Sequence, residues 1–324
     1  MKYNYYPGCS LERNAYAYHQ STLAIAKPLG IEFEEIEDWN CCGATEYTSI
    51  NLLASYALIT RNLALAAKNV DIHKLVAPCS ACFLNLAKVN HNLVESPELA
   101  EKVNTALAAG GLHYTPGSQE IYHLLEILFN EVGLDTIQSK VTKPLIGLRI
   151  APYYGCMVVR PGYSRKFDNP EHPTSLDKMM SALGANVVDF PLKANCCGGH
   201  MTQISPPVAY EMLRRLLHNA AEYQTDIIVT LCPMCQLNLD AYQDNVNQYF
   251  KTKYKIPILY FTQLIGLAFG IPAEKLGIGK ELVNARPALA KIGVEVPEPQ
   301  PVKGQKREKP AKEALPMPTM PEEK

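Results

Sequence analysis

A chain of 324 residues, 47% hydrophobic and 19% charged, is long enough to bury a substantial core and fits two domains of ordinary size. Its 31 Lys and Arg against 32 Asp and Glu leave a formal charge of -1, which supplies no positive field for nucleic acid or an anionic membrane. Ten cysteines in a reducing compartment point to metal binding or redox chemistry rather than to five disulfides.

Taken in chain order, the amino terminus from Met1 to Pro7 lacks the apolar stretch of a secretory signal, so a cytoplasmic location is expected. Strands are expected near 2–6, 31–36 and 72–77, with helices near 14–27, 47–68 and 80–90. After about residue 143 the series returns, with strands near 147–153, 186–190 and 226–231 and helices near 173–183, 206–222 and 234–248. Each half then closes on a similar apolar segment, Ile121 to Leu128 and Ile258 to Ile265. The most apolar stretch, Ile256 to Ala273, is interrupted by Pro257, Thr262, Gln263 and Pro272; this favours a buried strand and helix and predicts no transmembrane segment. From Pro297 to Lys324 the chain holds seven of its 24 prolines among many Lys and Glu, the composition of a disordered tail or of a docking arm.

Alternating strand and helix predicts an α/β fold: two tandem Rossmann-like domains, 1–142 and 143–296, with parallel sheets and a pseudo-twofold relation, followed by the tail 297–324. The cysteines carry the repeat most clearly. Cys9, Cys41, Cys42, Cys79 and Cys82 read C-x31-CC-x36-C-x2-C, and Cys156, Cys196, Cys197, Cys232 and Cys235 read C-x39-CC-x34-C-x2-C. Neighbours repeat as well: Tyr5-Tyr6-Pro7-Gly8-Cys9 answers Tyr153-Tyr154-Gly155-Cys156, and Asn40-Cys41-Cys42-Gly43 answers Asn195-Cys196-Cys197-Gly198. Cys82-Phe83-Leu84-Asn85-Leu86 answers Cys235-Gln236-Leu237-Asn238-Leu239. Every cysteine station follows a predicted strand, so all should meet at the carboxyl edges of the sheets, where parallel sheets carry their sites.

Three chemistries use clustered cysteine: zinc, iron–sulfur clusters and thiol–disulfide exchange. Structural zinc takes four ligands and a cubane [4Fe–4S] cluster takes four, so a quintet leaves one thiol spare in each half. A fifth thiolate finds use if it bridges two irons in an opened cluster, leaving an iron able to accept an outside sulfur. The adjacent Cys pairs require a turn, which Gly43 and Gly198 permit. Cys232-Pro233-Met234-Cys235 alone also has the form of a thioredoxin dithiol, but its duplicate Cys79-Ser80-Ala81-Cys82 lacks the proline. The tyrosines before Cys9 and Cys156 read as core strand residues, and His19, His73 and His218 have no ligand spacing.

The duplicated motif resembles the cysteine-rich CCG domain family, and two full copies with little else resemble the catalytic B subunits of heterodisulfide reductases. The likeness covers about residues 1 to 290, including His123-Leu124-Leu125 and Thr262-Gln263-Leu264-Ile265-Gly266, and not the tail. It implies that the first five cysteines bind one non-cubane [4Fe–4S] cluster and the second five another. A disulfide substrate would be cleaved or formed between them; zinc in one site is the alternative cofactor. His200, three residues past the second Cys pair, is the nearest proton donor by sequence. No dinucleotide fingerprint, Walker loop or ferredoxin run is visible, so electrons must enter from a partner. The resemblance implies an iron–sulfur C-like subunit as donor with a flavin-containing A-like subunit behind it. A heterodisulfide-reductase-like role in sulfur oxidation, or a zinc-bearing scaffold in a CCG-type oxidoreductase, is the rival expectation.

Overall fold

The computed structural model describes residues 1–44, 47–160 and 167–296; the tail expected over 297–324 lies outside the described residues. The first half runs β1 (Lys2–Tyr5), α1 (Tyr16–Ala26), β2 (Glu32–Glu35), α2 (Tyr47–Ile50), α3 (Leu52–Ala66), β3 (Lys74–Ala77), α4 (Ser80–Glu95), α5 (Pro97–Ala108), β4 (Glu120–His123), α6 (Leu124–Ile127) and α7 (Leu134–Ser139). The second runs β5 (Arg149–Tyr153), α8 (Ser175–Ala182), β6 (Asn186–Val187), α9 (Met201–Ile204), α10 (Pro206–Glu222), β7 (Ile227–Thr230), α11 (Pro233–Ala241), α12 (Gln243–Phe250), β8 (Ile258–Tyr260) and α13 (Phe261–Ala268). Each half builds a four-stranded parallel sheet, ordered β2-β1-β3-β4 in one and β6-β5-β7-β8 in the other. The fold is α/β and duplicated, as the alternation of elements predicts.

In each sheet the order reverses beside its first strand, between β1 and β3 and between β5 and β7. Loops diverge at such a switch point and leave a crevice at the carboxyl edge. The cysteine stations follow β1, β2 and β3 in one half and β5, β6 and β7 in the other, so both crevices are lined with sulfur.

Several element limits differ from the sequence reading. The helix expected over 47–68 divides at Asn51, which is extended at φ -150 and caps α3 by accepting from the Ala54 amide at 2.9 Å. The helix expected over 234–248 divides at Tyr242, and the strand expected over 186–190 narrows to Asn186–Val187. Helix α4 continues to Glu95, where Ser96 both ends it and caps α5 by accepting from Leu99 N at 3.3 Å. Pro97 at the first position of α5 has the fixed φ a helix start uses, and Ala100, Val103 and Leu107 bury its inner face.

One core cluster runs through both halves, and a second lies within the later half. Tyr18 of α1 stacks on Tyr260 of β8 with centroids 4.4 Å apart and planes 6° apart, and meets Phe261 edge-on at 6.0 Å. Beside them Ser21 Oγ and Thr262 Oγ1 lie 2.7 Å apart in full burial. The amides of Thr142 and Lys143 both donate to the Ala268 carbonyl at 2.9 Å, tying the inter-half segment to α13. Packing of this density holds the two sulfur-lined edges in fixed relation. Among the described residues no helix is long and apolar enough to cross a membrane; the apolar run 256–273 is β8 and α13.

Candidate functional site

Two tyrosines anchor the CCG loops to the sheets. Tyr6, fully buried just past β1, donates from its hydroxyl to the Asn40 carbonyl at 2.7 Å; Tyr153, fully buried at the end of β5, donates to the Asn195 carbonyl at 2.7 Å. Each bond fastens the residue preceding a Cys pair to the central strand, at about 1 kcal/mol apiece. The pairing shows that Tyr6 answers Tyr153 and Pro7 answers Tyr154, one residue displaced from the match that the paired tyrosines of the sequence suggest. Their core reading holds: both rings are buried.

Counting from the cysteines, Gly8 answers Gly155, and their surroundings coincide. Gly8 has φ +75 and a Cβ built there would lie 2.9 Å from Cys82 Sγ; Gly155 has φ +66 and its Cβ would lie 2.9 Å from Cys235 Sγ. Only glycine lets the first station and the C-x2-C station approach this closely. Gly43 and Gly198 adopt φ +62 and +93, so the Cys pairs do turn as their glycines permit.

All ten cysteines, five from each half, line a single cavity of about 190 Å³. All ten are free thiols, with Cys9 and Cys41 Sγ atoms 3.6 Å apart and those of Cys42 and Cys82 3.3 Å apart. In each pair the first cysteine is exposed and the second buried. Hydrogen bonds from Cys42 and then Cys9 hold the Cys41 thiol down to about 2, and those from Cys156 and Cys197 do the same to Cys196, also to about 2. The donors are pushed the opposite way: Cys9 and Cys42 rise by bonding to Cys41, and Cys197 rises to about 12 by bonding to Cys196. Cys82 and Cys235 rise through their bonds to Cys42 and Cys197. The Cys232 thiol is lowered to about 7, first by its bond from Cys235. The first cysteine of each pair is therefore the favoured thiolate of its quintet.

Asparagines three residues past each C-x2-C motif close the loops. Asn85 Nδ2 donates to the Cys42 carbonyl at 3.1 Å, while Asn238 Nδ2 donates to the Cys197 carbonyl at 3.4 Å and the Gly199 carbonyl at 2.8 Å. The second half adds an ion pair between buried Lys193 and half-buried Asp177: Lys193 Nζ donates to Asp177 Oδ1 at 2.9 Å, and the Tyr154 hydroxyl donates to Asp177 Oδ2 at 2.7 Å. The Lys193 carbonyl in turn accepts from the amides of Tyr154 and Gly155. The repeated Asn was visible in the sequence; the Lys193–Asp177–Tyr154 group had no local signal, because its members meet only through the fold. Half-buried His200 also lines the cavity, together with Ser10, Ser80, Tyr154, Met157 and Met234. Among the described residues, no three His, Cys, Asp or Glu side chains converge as they would around one metal ion.

The helices that follow the CCG loops carry exposed apolar side chains where they join: Ile50 ends α2 with Leu52 and Leu53 opening α3, and Ile204 ends α9 with Val208 in the first turn of α10.

The cysteine-rich domain family designated CCG matches residues 3–87 and again 150–240. The chain is 37% identical over 285 residues to the 8-methylmenaquinol:fumarate reductase membrane anchor subunit of Wolinella succinogenes, spanning 88% of this chain and 98% of that one. It is 31% identical over 294 residues to the B subunit of the ferredoxin/F(420)H(2)-dependent CoB-CoM heterodisulfide reductase of Methanosarcina acetivorans, spanning 90% and 97%. A protein of Archaeoglobus profundus, named for its likeness to heterodisulfide reductase B subunits, is 29% identical over 282 residues, spanning 85% and 93%. Among solved structures, a hypothetical protein from Helicobacter pylori shares the fold at TM-score 0.67 and 13% identity, over 87% of this chain and 52% of that one, so this chain spans about half its length.

Proposed function

The chain belongs to the CCG family of cysteine-rich domains, in two copies, and from that premise we propose that it is the catalytic iron–sulfur subunit of a heterodisulfide reductase or a related complex. Kinship with heterodisulfide reductase B subunits makes it a redox subunit of an oxidoreductase complex. The observation that carries the finer reading is the convergence of both cysteine quintets on one cavity. In this reading domain 1–142 holds one non-cubane [4Fe–4S] cluster through Cys9, Cys41, Cys42, Cys79 and Cys82. Domain 143–296 holds the other through Cys156, Cys196, Cys197, Cys232 and Cys235. The donor set fits: ten soft sulfurs surround a space several times the ~30 Å³ of a water molecule and larger than a lone zinc ion needs.

Bound clusters supply single electrons and an iron open to an outside sulfur. The chain's own residues do the rest. Cleavage of RS–SR′ consumes two electrons and two protons and releases RSH and R′SH, so a substrate between two one-electron centres matches the count. The packed α1–α13 interface keeps the quintets facing one another. Met157, Met234, Ala44 and Ala81 give part of the cavity an apolar lining beside the buried sulfurs. His200, on the cavity wall, is positioned to protonate a departing thiolate. Electrons arrive from a C-like iron–sulfur subunit, with an A-like flavin subunit behind it.

A second reading has its own support. The Wolinella relative is named the membrane anchor subunit of an 8-methylmenaquinol:fumarate reductase, and the exposed Ile50, Leu52, Leu53, Ile204 and Val208 give this chain apolar surface suited to a membrane-side assembly. In that case the two-electron partner at the cavity is a quinol.

Low-temperature EPR on the oxidised, cluster-loaded protein separates the two. Addition of a thiol substrate is expected to produce a new paramagnetic signal that an iron isotope broadens. A thiol-independent spectrum that responds to a menaquinol analogue contradicts the disulfide reading and selects the second.

A further inference from the structure

The two copies assemble their cysteine loops differently. Each must bring the first station and the Cys-pair loop together from separate strands, and both use the tyrosine bond to the residue before the pair. The second half adds a ring of contacts. Lys193, three residues before Cys196, is 2% exposed, and its carbonyl accepts from the amides of Tyr154 at 2.9 Å and Gly155 at 3.1 Å, the two residues before Cys156. Its ammonium reaches Asp177 Oδ1 at 2.9 Å, and the Tyr154 hydroxyl donates to Asp177 Oδ2 at 2.7 Å. That hydroxyl also accepts from the amides of Leu176 at 2.6 Å and Asp177 at 3.2 Å in the first turn of α8. The ring closes through Asp177, and an ammonium held out of water is strongly bound to its partner.

The same positions of the first half make no such ring. Counted from Cys9 and Cys41, Pro7 stands where Tyr154 does and Asp38 where Lys193 does. Proline offers neither an N–H nor a hydroxyl. The Asp38 side chain is 80% exposed and pairs with Arg61 of α3, and the Asn40 amide donates to Asn62 Oδ1 of the same helix at 2.9 Å. At these positions the first pair loop is fastened outward, to the helix after it, and the second is fastened inward, to the Cys156 station.

We propose that the Lys193–Asp177–Tyr154 ring pre-assembles the second cysteine quintet, so that the second site takes its metal first and releases it last, while the first gathers its loops as the metal binds. The inference rests on the reading of the quintets as cluster sites. A ligand set already in place loses less freedom on binding, and groups that fix the ligands from behind raise affinity. Lys193, Asp177 and Tyr154 are positioning residues, acting through the loops that carry Cys156 and Cys196.

Full-length chains with one quintet disabled read the sites separately: Cys42→Ser leaves the second intact and Cys197→Ser the first. Reconstituted with ferrous iron and sulfide and then challenged with an iron chelator, the Cys42→Ser chain is expected to release iron about tenfold more slowly than the Cys197→Ser chain. Lys193→Met added to Cys42→Ser should remove that advantage, and added to Cys197→Ser should leave release unchanged. Hydrogen exchange on the metal-free intact chain gives a readout independent of iron. The Tyr154 and Gly155 amides should be protected, and Lys193→Met should expose them while the β7 amides stay protected. If loss of β7 protection shows that Lys193→Met does not fold, Tyr154→Phe, which keeps the ring and removes the hydroxyl, carries the test with a smaller loss. Equal release from the two sites, equal loss from both on substitution, or unprotected Tyr154 and Gly155 amides overturn the inference. Iron and sulfide content of the intact chain keeps the two failures apart. A chain that holds no iron sinks the functional reading and this inference with it, whereas full loading with equal release sinks this inference alone.

Discussion

Serine at Cys42 should abolish turnover and remove about half of the bound iron, leaving the second centre and the fold in place. Cys42 is buried, and Cys82 Sγ lies 3.3 Å away, so the substitution changes one donor atom at the centre of the first quintet with little change in volume. Loss of the thiolate matters more than the packing, which should shift apo stability by only about 1 kcal/mol. Cys197→Ser should do the same in the second domain, since Cys197 occupies the equivalent buried place. Iron and acid-labile sulfide analysis, circular dichroism and turnover on the same preparations give the answer. Undiminished turnover in either variant removes the requirement for two centres.

Alanine at Gly8 or Gly155 should have nearly as large an effect for a geometric reason. A methyl group at either position would press within 2.9 Å of a station sulfur, Cys82 or Cys235, from a backbone with positive φ. The left-handed conformation costs an alanine about 1–2 kcal/mol, and the remaining strain is relieved only by moving the sulfur. Each variant should therefore lose the centre of its own domain while the other stays loaded. Gly30 supplies the control, because its φ is +67 and nothing lies within 4 Å of its Cβ. Gly30→Ala should carry the backbone cost alone and retain its iron. If Gly8→Ala keeps as much iron as Gly30→Ala, the close approach of the two stations is not what shapes the site.

The sequence exposes the parts of the site that repeat along the chain. The cysteine spacings, the Gly after each pair and the Asn after each C-x2-C motif recur in register, so the doubled sheet and its sulfur-lined edges are legible before any coordinates. Boundaries set by single side chains are less so: Asn51 divides one helix by capping the next, and Ser96-Pro97 starts α5 immediately after α4, with no loop to announce it. Contacts between the domains leave no local trace. Stacking of Tyr18 on Tyr260, which fixes the facing of the two quintets, joins residues with no shared pattern. Ser80 reads as an ordinary helix-start residue until the fold brings Leu231 beside it. Setting Tyr5-Tyr6 against Tyr153-Tyr154 is one position out; counting back from Cys9 and Cys156 opposes Tyr6 to Tyr153, and the bonds to Asn40 and Asn195 agree.

Quantitation of iron, acid-labile sulfide and zinc on anaerobically purified protein tests the central claim most directly. Two opened clusters predict about eight iron atoms and about eight sulfides per chain, with no stoichiometric zinc. Stoichiometric zinc without sulfide, or iron for a single cluster in the intact chain, would contradict the account.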